Sequence, residues 1–306
     1  MRLADVVRLM IPYVRPPRRV LHFDGADVAS FVGDDLNADS RTVSSFGAEW
    51  ARFASFTDDE TRRAGDEIFD LLSPEMAHAG TVALDIGCGT GRWSRYLAPR
   101  VKFIEAVDPS RAVRAAVALT RSLGNVRVTQ AGYGGLPFAP GTFDLVFSLG
   151  VVHHVPDTER AVREAAAMLK PGGWLLLYVY YALDNRGPVY RALFPIADAC
   201  RRVVSRLPAR MKFVVCDLLA ATVYLPLVAL ARIVRQAGPR AWTNVPLAYY
   251  VDKPWKIIRN DSLDRFGTPL EKRFSRDDIR GMLERAGLTR IRFSERQPFW
   301  HVVACR

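Results

Sequence analysis

The chain has little cysteine: Cys88, Cys200, Cys216 and Cys305 are the only four in 306 residues, with no CxxC pair and no histidine at ligand spacing. That excludes a disulfide framework and a structural zinc site, and it fits a reducing compartment, so a cytoplasmic location is expected. Histidine is also scarce, with five in all and only His153 and His154 adjacent, so no metal centre is expected. The N-terminus lacks the apolar core and the small-residue cleavage site of a signal peptide. Leu3, Val6, Val7 and Met10 instead fall at i, i+3, i+4 and i+7, which predicts a short amphipathic helix stopped by Pro12. Acidic residues are rare in one stretch: residues 182–260 hold 13 basic and four acidic side chains, whereas residues 21–181 hold 15 and 20. The formal charge of +11 therefore belongs to particular segments and not to the chain as a whole.

What is present reads as an ordinary globular protein, 49% apolar and 25% charged, long enough for one large core or two modest ones. Residues 22–43 are polar, Asp-rich and weakly patterned, which predicts a mobile linker. Phe46, Trp50 and Phe53 then recur at i, i+4 and i+7 and predict a helix with one aromatic stripe, followed by a second helix over Glu60–Leu72.

The most informative stretch is Val82-Ala-Leu-Asp85-Ile-Gly87-Cys88-Gly89-Thr90-Gly91. Its apolar run predicts a buried strand over Thr81–Ile86, and the glycines turn that strand into a helix over Arg92–Leu97, bringing backbone close to a ligand. The spacing is GxGxG and not the GxGxxG of dinucleotide enzymes. Asp85 would repel a pyrophosphate and suits a ligand carrying an ammonium group. A second strand, Val101–Val107, ends in Asp108, about twenty residues past the turn, where an acid can hold ribose hydroxyls.

Further strands are predicted at Val126–Gln130, Thr142–Ser148 and Trp174–Tyr180, alternating with helices over Arg111–Leu123 and Asp157–Leu169. That alternation predicts an α/β fold, a doubly wound and mostly parallel sheet with its ligands at the C-terminal strand ends. A capping box at Ser275 and Asp278 opens a helix over Asp277–Ala286, and Thr289–Ser294 and Phe299–Ala304 read as the last two strands. The organisation expected is a helical cap or lid (1–80), a core (81–181), a helical insertion (182–261) and a closing segment (262–306).

The glycine turn with its two acids, and the stretches Leu136-Pro137-Phe138, Phe143-Asp144-Leu145-Val146, Val152-His153-His154-Val155-Pro156-Asp157 and Leu169-Lys-Pro-Gly-Gly173, resemble class I S-adenosylmethionine (SAM) methyltransferases of the ubiquinone/menaquinone-type, or type 11, branch. The resemblance is strong over residues 80–180 and looser on the flanks. It implies a Rossmann-like seven-stranded sheet and SAM as methyl donor. Asp85, Gly87, Cys88, Gly89 and Gly91 would surround the methionine part, Asp108 the ribose, and the backbone near Leu149 the sulfonium end. The helix of Trp50 is similar to a lid beside the cofactor in one subgroup. Two departures stand out. Gly132 occupies the place where many relatives carry an Asp for adenine, leaving backbone and stacking on Tyr133, and Val179 occupies the place where some sugar O-methyltransferases of the branch carry an acid.

His153 and His154 are the titratable pair able to take a proton from a hydroxyl acceptor, with His153 the first choice. The insertion contains a basic, apolar helical pattern over Val189–Leu207 and a run, Phe213–Ala231, with Asp217 as its only charge. That run has the length of a membrane span, yet one crossing would part the last two strands from their sheet, and Pro226 would break it. It reads as one or two lid helices, either bedded on an anionic membrane face or buried with a solvated basic rim.

The function expected is methyl transfer from SAM to a small or amphipathic acceptor, lipid-linked ones included, with O-methylation ahead of C-methylation of a quinone-like ring. A nucleic-acid methyltransferase is disfavoured. The place of its Asn/Asp-Pro-Pro-Tyr/Phe signature holds Gly150-Val-Val-His-His, and no aromatics interleave the basic residues. A non-catalytic SAM-binding protein is disfavoured by the intact glycines and acids.

Overall fold

The computed structural model describes residues 11–23, 25–52, 57–183, 188–238, 242, 245–296 and 300–306. The chain divides into two units, one of residues 1–182 and 270–306 and the other of residues 183–269. The expected helix over the first ten residues, Phe53 of the aromatic stripe and Phe299 of the last strand lie outside the described residues.

Within the first unit, residues 19–30 form a hairpin and not a linker. Strand β1 (Arg19–Phe23) pairs antiparallel with β2 (Ala26–Ser30), and Gly25 between them has φ +85°. The overlooked signal is a period of two. Leu21, Phe23, Ala26 and Val28 meet Val113, Val117 and Val128 on one face, and this alternation outweighs the polar composition. Beyond β2, Phe31 donates its amide to Gln130, and Gln130 donates back to Ala29, so the hairpin runs onto the main sheet. Ahead of it, Arg127 donates to the Ile11 carbonyl at 2.6 Å, and the Tyr13 hydroxyl lies 2.7 Å from that of Thr129. The polar centre of this anchorage is the buried Glu105, 2.7 Å from Arg127. The segment expected as a separate cap is thus joined to the core. Helix α1 (Ser40–Arg52) follows, its first turn capped by Asp39, which accepts from the Thr42 amide and hydroxyl. Helix α2 (Asp58–Ile68) opens with a capping box of Thr57 and Glu60 and ends four residues earlier than its pattern suggested.

The sheet then begins: β3 (Val82–Ile86), α3 (Arg92–Leu97), β4 (Phe103–Val107), α4 (Val113–Thr120), β5 (Val126–Thr129), β6 (Phe143–Leu149), α5 (Thr158–Met168) and β7 (Leu169–Tyr178). Lys170–Gly173, between the helix expected to end at Leu169 and the strand expected from Trp174, lies inside β7, where the register with β6 shifts between Phe143 and Leu145. Helices α6 (Pro188–Val204), α7 (Ala209–Leu219), α8 (Leu225–Ala237) and α9 (Trp255–Gly267) make up the second unit, before α10 (Arg276–Arg285), β8 (Thr289–Phe293) and β9 (His301–Cys305) complete the first. The seven strands lie in the order β5-β4-β3-β6-β7-β9-β8, parallel from β5 to β7, with β9 antiparallel to both neighbours. Successive side chains enter opposite cores: Leu84, Val146 and Leu175 pack on one face with Ala161 and Ile279, while Ala83, Leu145 and Leu176 pack on the other with Phe69 and Leu97. Both faces are covered, which is why the strands read as unbroken apolar runs. The α/β, doubly wound, Rossmann-like sheet is as expected.

In the second unit, Pro226 does not break the long helix. A π-helical turn, Ala220–Tyr224, joins α7 to α8, and Pro226 falls in the first turn of α8, directly after it. Lys212, Cys216, Ala220, Tyr224 and Val228 form a buried stripe at every fourth position. The π turn returns the rotation that such a stripe would accumulate along a straight α-helix. Across it, Ser262 of α9 donates to the Cys216 carbonyl, Lys212 to the Gly267 carbonyl, and Arg259 grips Asp217 with two bonds of 2.9 and 2.7 Å. The unit closes at Pro269, so residues 262–269 belong to the insertion and not to the closing segment.

Candidate active site

The C-terminal ends of β3, β4, β5 and β6 open onto a cavity of about 710 Å³, solvent at its mouth included. Its floor is made by Ile86 and Gly87 after β3, Asp108–Ser110 after β4, Gly132 and Tyr133 after β5, and Leu149–Val151, His154 and Val155 after β6. Its remaining wall comes from Asn37–Asp39 and, on α1, Thr42, Val43, Phe46 and Trp50.

The turn needs its glycines. Gly87 has φ +81°, and a Cβ there would lie 2.4 Å from Val151 Cγ2. At Gly89 (φ +53°) a Cβ would meet the indole nitrogen of Trp50 at 3.2 Å, so the lid helix rests directly on the turn. Gly91, in the left-handed region, stands at the N-cap of α3. Asp108 Oδ2 accepts the Gly89 amide at 2.9 Å, while Oδ1 accepts the Ser110 amide and hydroxyl at 2.8 and 2.6 Å. Burial raises its pKa and these donors oppose the rise, leaving an oriented carboxylate on the cavity wall. Asp85, one residue behind the lining Ile86, is 1% exposed. Its Oδ2 accepts from Ser94 Oγ at 2.7 Å, and its Oδ1 has no hydrogen-bond partner among the described residues. Burial, with a contribution from Asp108, pushes its pKa up to about 7.

Three expected residues contribute differently from their assignment. Cys88 turns its side chain into the cluster of Val113 and Val117, where burial holds the thiol well above its ordinary range. Its contribution to the turn is its backbone amide, bonded to Val107. Tyr133 reaches the cavity, but its ring is embedded with Phe138 and Val155, leaving little face for stacking. Gly132 also lines the cavity, and a Cβ there would sit 3.2 Å from Pro109, so the missing acid is replaced by close packing.

The two histidines stand in different surroundings. His153 is fully buried and stacks on Tyr180 at 4.0 Å, without lining the cavity. Burial, then His154 and Arg273, pull its pKa well below the ordinary value, which makes it a poor base. His154 lines the cavity, and its Nδ1 lies 2.7 Å from the Leu270 carbonyl. A carbonyl only accepts, so Nδ1 carries the proton and the lone pair of the neutral ring is on Nε2. Asn37 was not anticipated. Its side chain donates to the Asp157 carbonyl (2.6 Å) and accepts the Asp157 amide (2.9 Å), tying the wall to the start of α5. Nothing in the local sequence marks it, whereas Asp39 and Thr42 carry a legible helix-cap pattern.

A glycine turn under a parallel sheet, two buried acids and a cavity at the strand ends are the features of a nucleotide-cofactor site. Residues 84–177 match the family model described as a methyltransferase domain. The chain is 30% identical over 133 residues to an uncharacterized methyltransferase of Bacillus subtilis, covering 42% of this chain and 53% of that protein. It is 34% identical over 114 residues to a ubiquinone biosynthesis O-methyltransferase of Albidiferax ferrireducens, covering 36% and 44%. The chain spans about half the length of the curated relatives it matches. A SAM-dependent methyltransferase structure from Aquifex aeolicus aligns with a TM-score of 0.42 at 16% identity, over 82% of this chain and 98% of that one. Residues 84–177 are thus a methyltransferase domain, similar to the class I SAM-dependent enzymes of the type 11 branch, whose cofactor is SAM.

Proposed function

We propose that the protein transfers the methyl group of SAM to a hydroxyl of a small or amphipathic acceptor. The chain's own residues suit the cofactor. Asp85 Oδ1 is a buried, unpartnered acceptor beside the turn, suited to an ammonium group, and Asp108 retains acceptor capacity for ribose hydroxyls. Bound there, SAM supplies an electrophilic methyl group. The protein's part is to orient the acceptor, shield it from water and take its proton. Phe46, Trp50 and Val43 give the cavity an apolar wall, and His154 Nε2 is the atom to which we assign the proton. The observation that carries this reading is that His154 shares one cavity with Gly87 and Asp108. The acceptor class we favour is phenolic, isoprenoid or glycosidic, lipid-linked forms included.

The test is methyl incorporation from labelled SAM across a panel of such acceptors, with His154→Gln and His153→Gln compared. His154→Gln should lower kcat on the order of 100-fold, as expected for loss of a general base, while leaving S-adenosylhomocysteine affinity unchanged. Equal losses in both variants would remove the base assignment. Label found on ring carbon would replace O-methylation with C-methylation.

A further inference from the structure

We infer that the second unit is a docking face for an anionic membrane surface, an inference independent of the methyl-acceptor reading. Of the twelve large apolar side chains that stand exposed among the described residues, ten lie within residues 183–269. Nine of those ten belong to α6 and to the continuous helix running through α7 and α8. Val203, Met211, Val214, Leu218, Leu225 and Ile233 are among them, Val203 and Ile233 at 64% exposure. Scattered exposed apolar residues are ordinary, but a concentration of this kind marks an interaction surface.

The same helix presents two apolar faces with different partners. One is the buried stripe from Lys212 to Val228. The other faces outward, and only 22% of the helix's most apolar 18-residue stretch is buried. Among the described residues, Ala209–Gln236 is the single helix long and apolar enough to cross a membrane. Its packed face argues against crossing, because Asp217 there is paired with Arg259 and Lys212 is bonded to Gly267. A spanning helix would carry those groups into hydrocarbon. Lying in the interface, the helix keeps them on the protein side and gives only its outer face to lipid.

Charge identifies the occupant. Residues 182–260 carry 13 basic and four acidic side chains. Arg206 and Arg210, in and beside the turn between α6 and α7, are exposed and have no ion-pair partner among the described residues. They alternate along the chain with Val203, Met211 and Val214, a mixture that matches acyl chains below and anionic headgroups above. A second copy of the chain would bring the same arginines face to face. A nucleic-acid backbone would leave Met211, Val214 and Leu218 against phosphates.

The experiment is flotation of the full chain with phosphatidylcholine vesicles, with and without phosphatidylglycerol. Binding is expected only to the anionic vesicles and should weaken with added salt. Arg206→Ala and Arg210→Ala should each weaken partitioning about fivefold. Leu218→Glu should weaken it roughly tenfold or more. All three positions are exposed; unchanged helical circular dichroism and thermal unfolding verify that each variant keeps the second unit folded, and unchanged S-adenosylhomocysteine binding separates this outcome from any failure of the cofactor reading. Any one of four results overturns the inference: no flotation at low salt, flotation indifferent to these variants, retention through alkaline carbonate extraction, or a concentration-dependent dimer abolished by Leu218→Glu. The third would make the helix a span and the fourth would make the face a contact between copies.

Discussion

Asp85 shows how much chemistry one residue can hold. It is buried beside the glycine turn, with one oxygen on Ser94 and the other unpartnered among the described residues, and its pKa is pushed from 3.8 to about 7. The sign of the consequence follows from proton linkage. The folded protein without cofactor keeps a proton that the unfolded chain releases near pH 4. Asp85's contribution to stability is therefore full below pH 4 and lost as pH rises through 7. A cationic ligand needs the opposite, ionised form. Cofactor affinity should fall about tenfold for each pH unit below 7 and level off above it, with proton release on binding in that range. Calorimetry in buffers of different ionisation enthalpy measures that release. Asp85→Asn should abolish both the pH slope and the release while weakening binding, and an unchanged slope would mean that another group carries the proton. The buried Glu105 poses a related problem. Removing its partner with Arg127→Met leaves a carboxyl in the core, which should cost about 3 kcal/mol or more above pH 7, where Glu105 is ionised. Urea unfolding at pH 5.5 and 8 should show the larger loss at the higher pH.

At the scale of elements, legibility followed periodicity. Strand β3, the glycine turn, α3 and the Ser275 and Asp278 capping box stand where the sequence put them, because each has a local signal that tertiary structure has no reason to override. The hairpin of β1 and β2 was hidden by composition, since His22 and Asp27 occupy outward positions between Leu21, Phe23, Ala26 and Val28, which mark the inward face. Pro226 misled for the opposite reason. A strong local rule was satisfied by placing it in the first turn of α8, after a π turn no residue announces. The cavity was half legible. Gly87, Asp108 and Leu149 were named from strand ends, but the ranking of His153 above His154 depended on which side chain enters the cavity, and two adjacent histidines look alike in sequence. Asn37 was invisible because its work is done on Asp157, 120 residues away. The aromatic helix gives a prediction of its own. Trp50→Ala removes the indole that lies over Gly89, so cofactor affinity should drop roughly tenfold while the melting temperature of the cofactor-free protein changes little. A large fall in melting temperature instead would make Trp50 a core residue.

The whole molecule is a sheet interrupted by an insertion, and the interruption is topologically simple. The chain leaves the first unit after Ala182 and rejoins it at Leu270. Both ends are held within that unit. Ala182 donates its amide to the Phe274 carbonyl at 2.9 Å, and Leu270 donates to the Thr42 hydroxyl at 3.2 Å while its carbonyl receives His154. Strand β9 pairs with β7 across the whole length of the insertion in sequence, so the sheet closes without any strand from residues 183–269. Replacing those residues with a Gly-Ser linker of about eight residues, whose root-mean-square reach is roughly 16 Å, should leave the sheet and the glycine turn intact. The shortened protein should unfold in one cooperative transition and bind S-adenosylhomocysteine within a few-fold of the full chain. It should lose flotation with anionic vesicles completely, since ten of the twelve exposed large apolar side chains among the described residues go with the insertion. Retained cofactor binding with lost vesicle binding would establish the two units as separable modules, one for the methyl donor and one for the surface. Loss of cofactor binding in a folded, shortened protein would show that the insertion holds the donor site in shape.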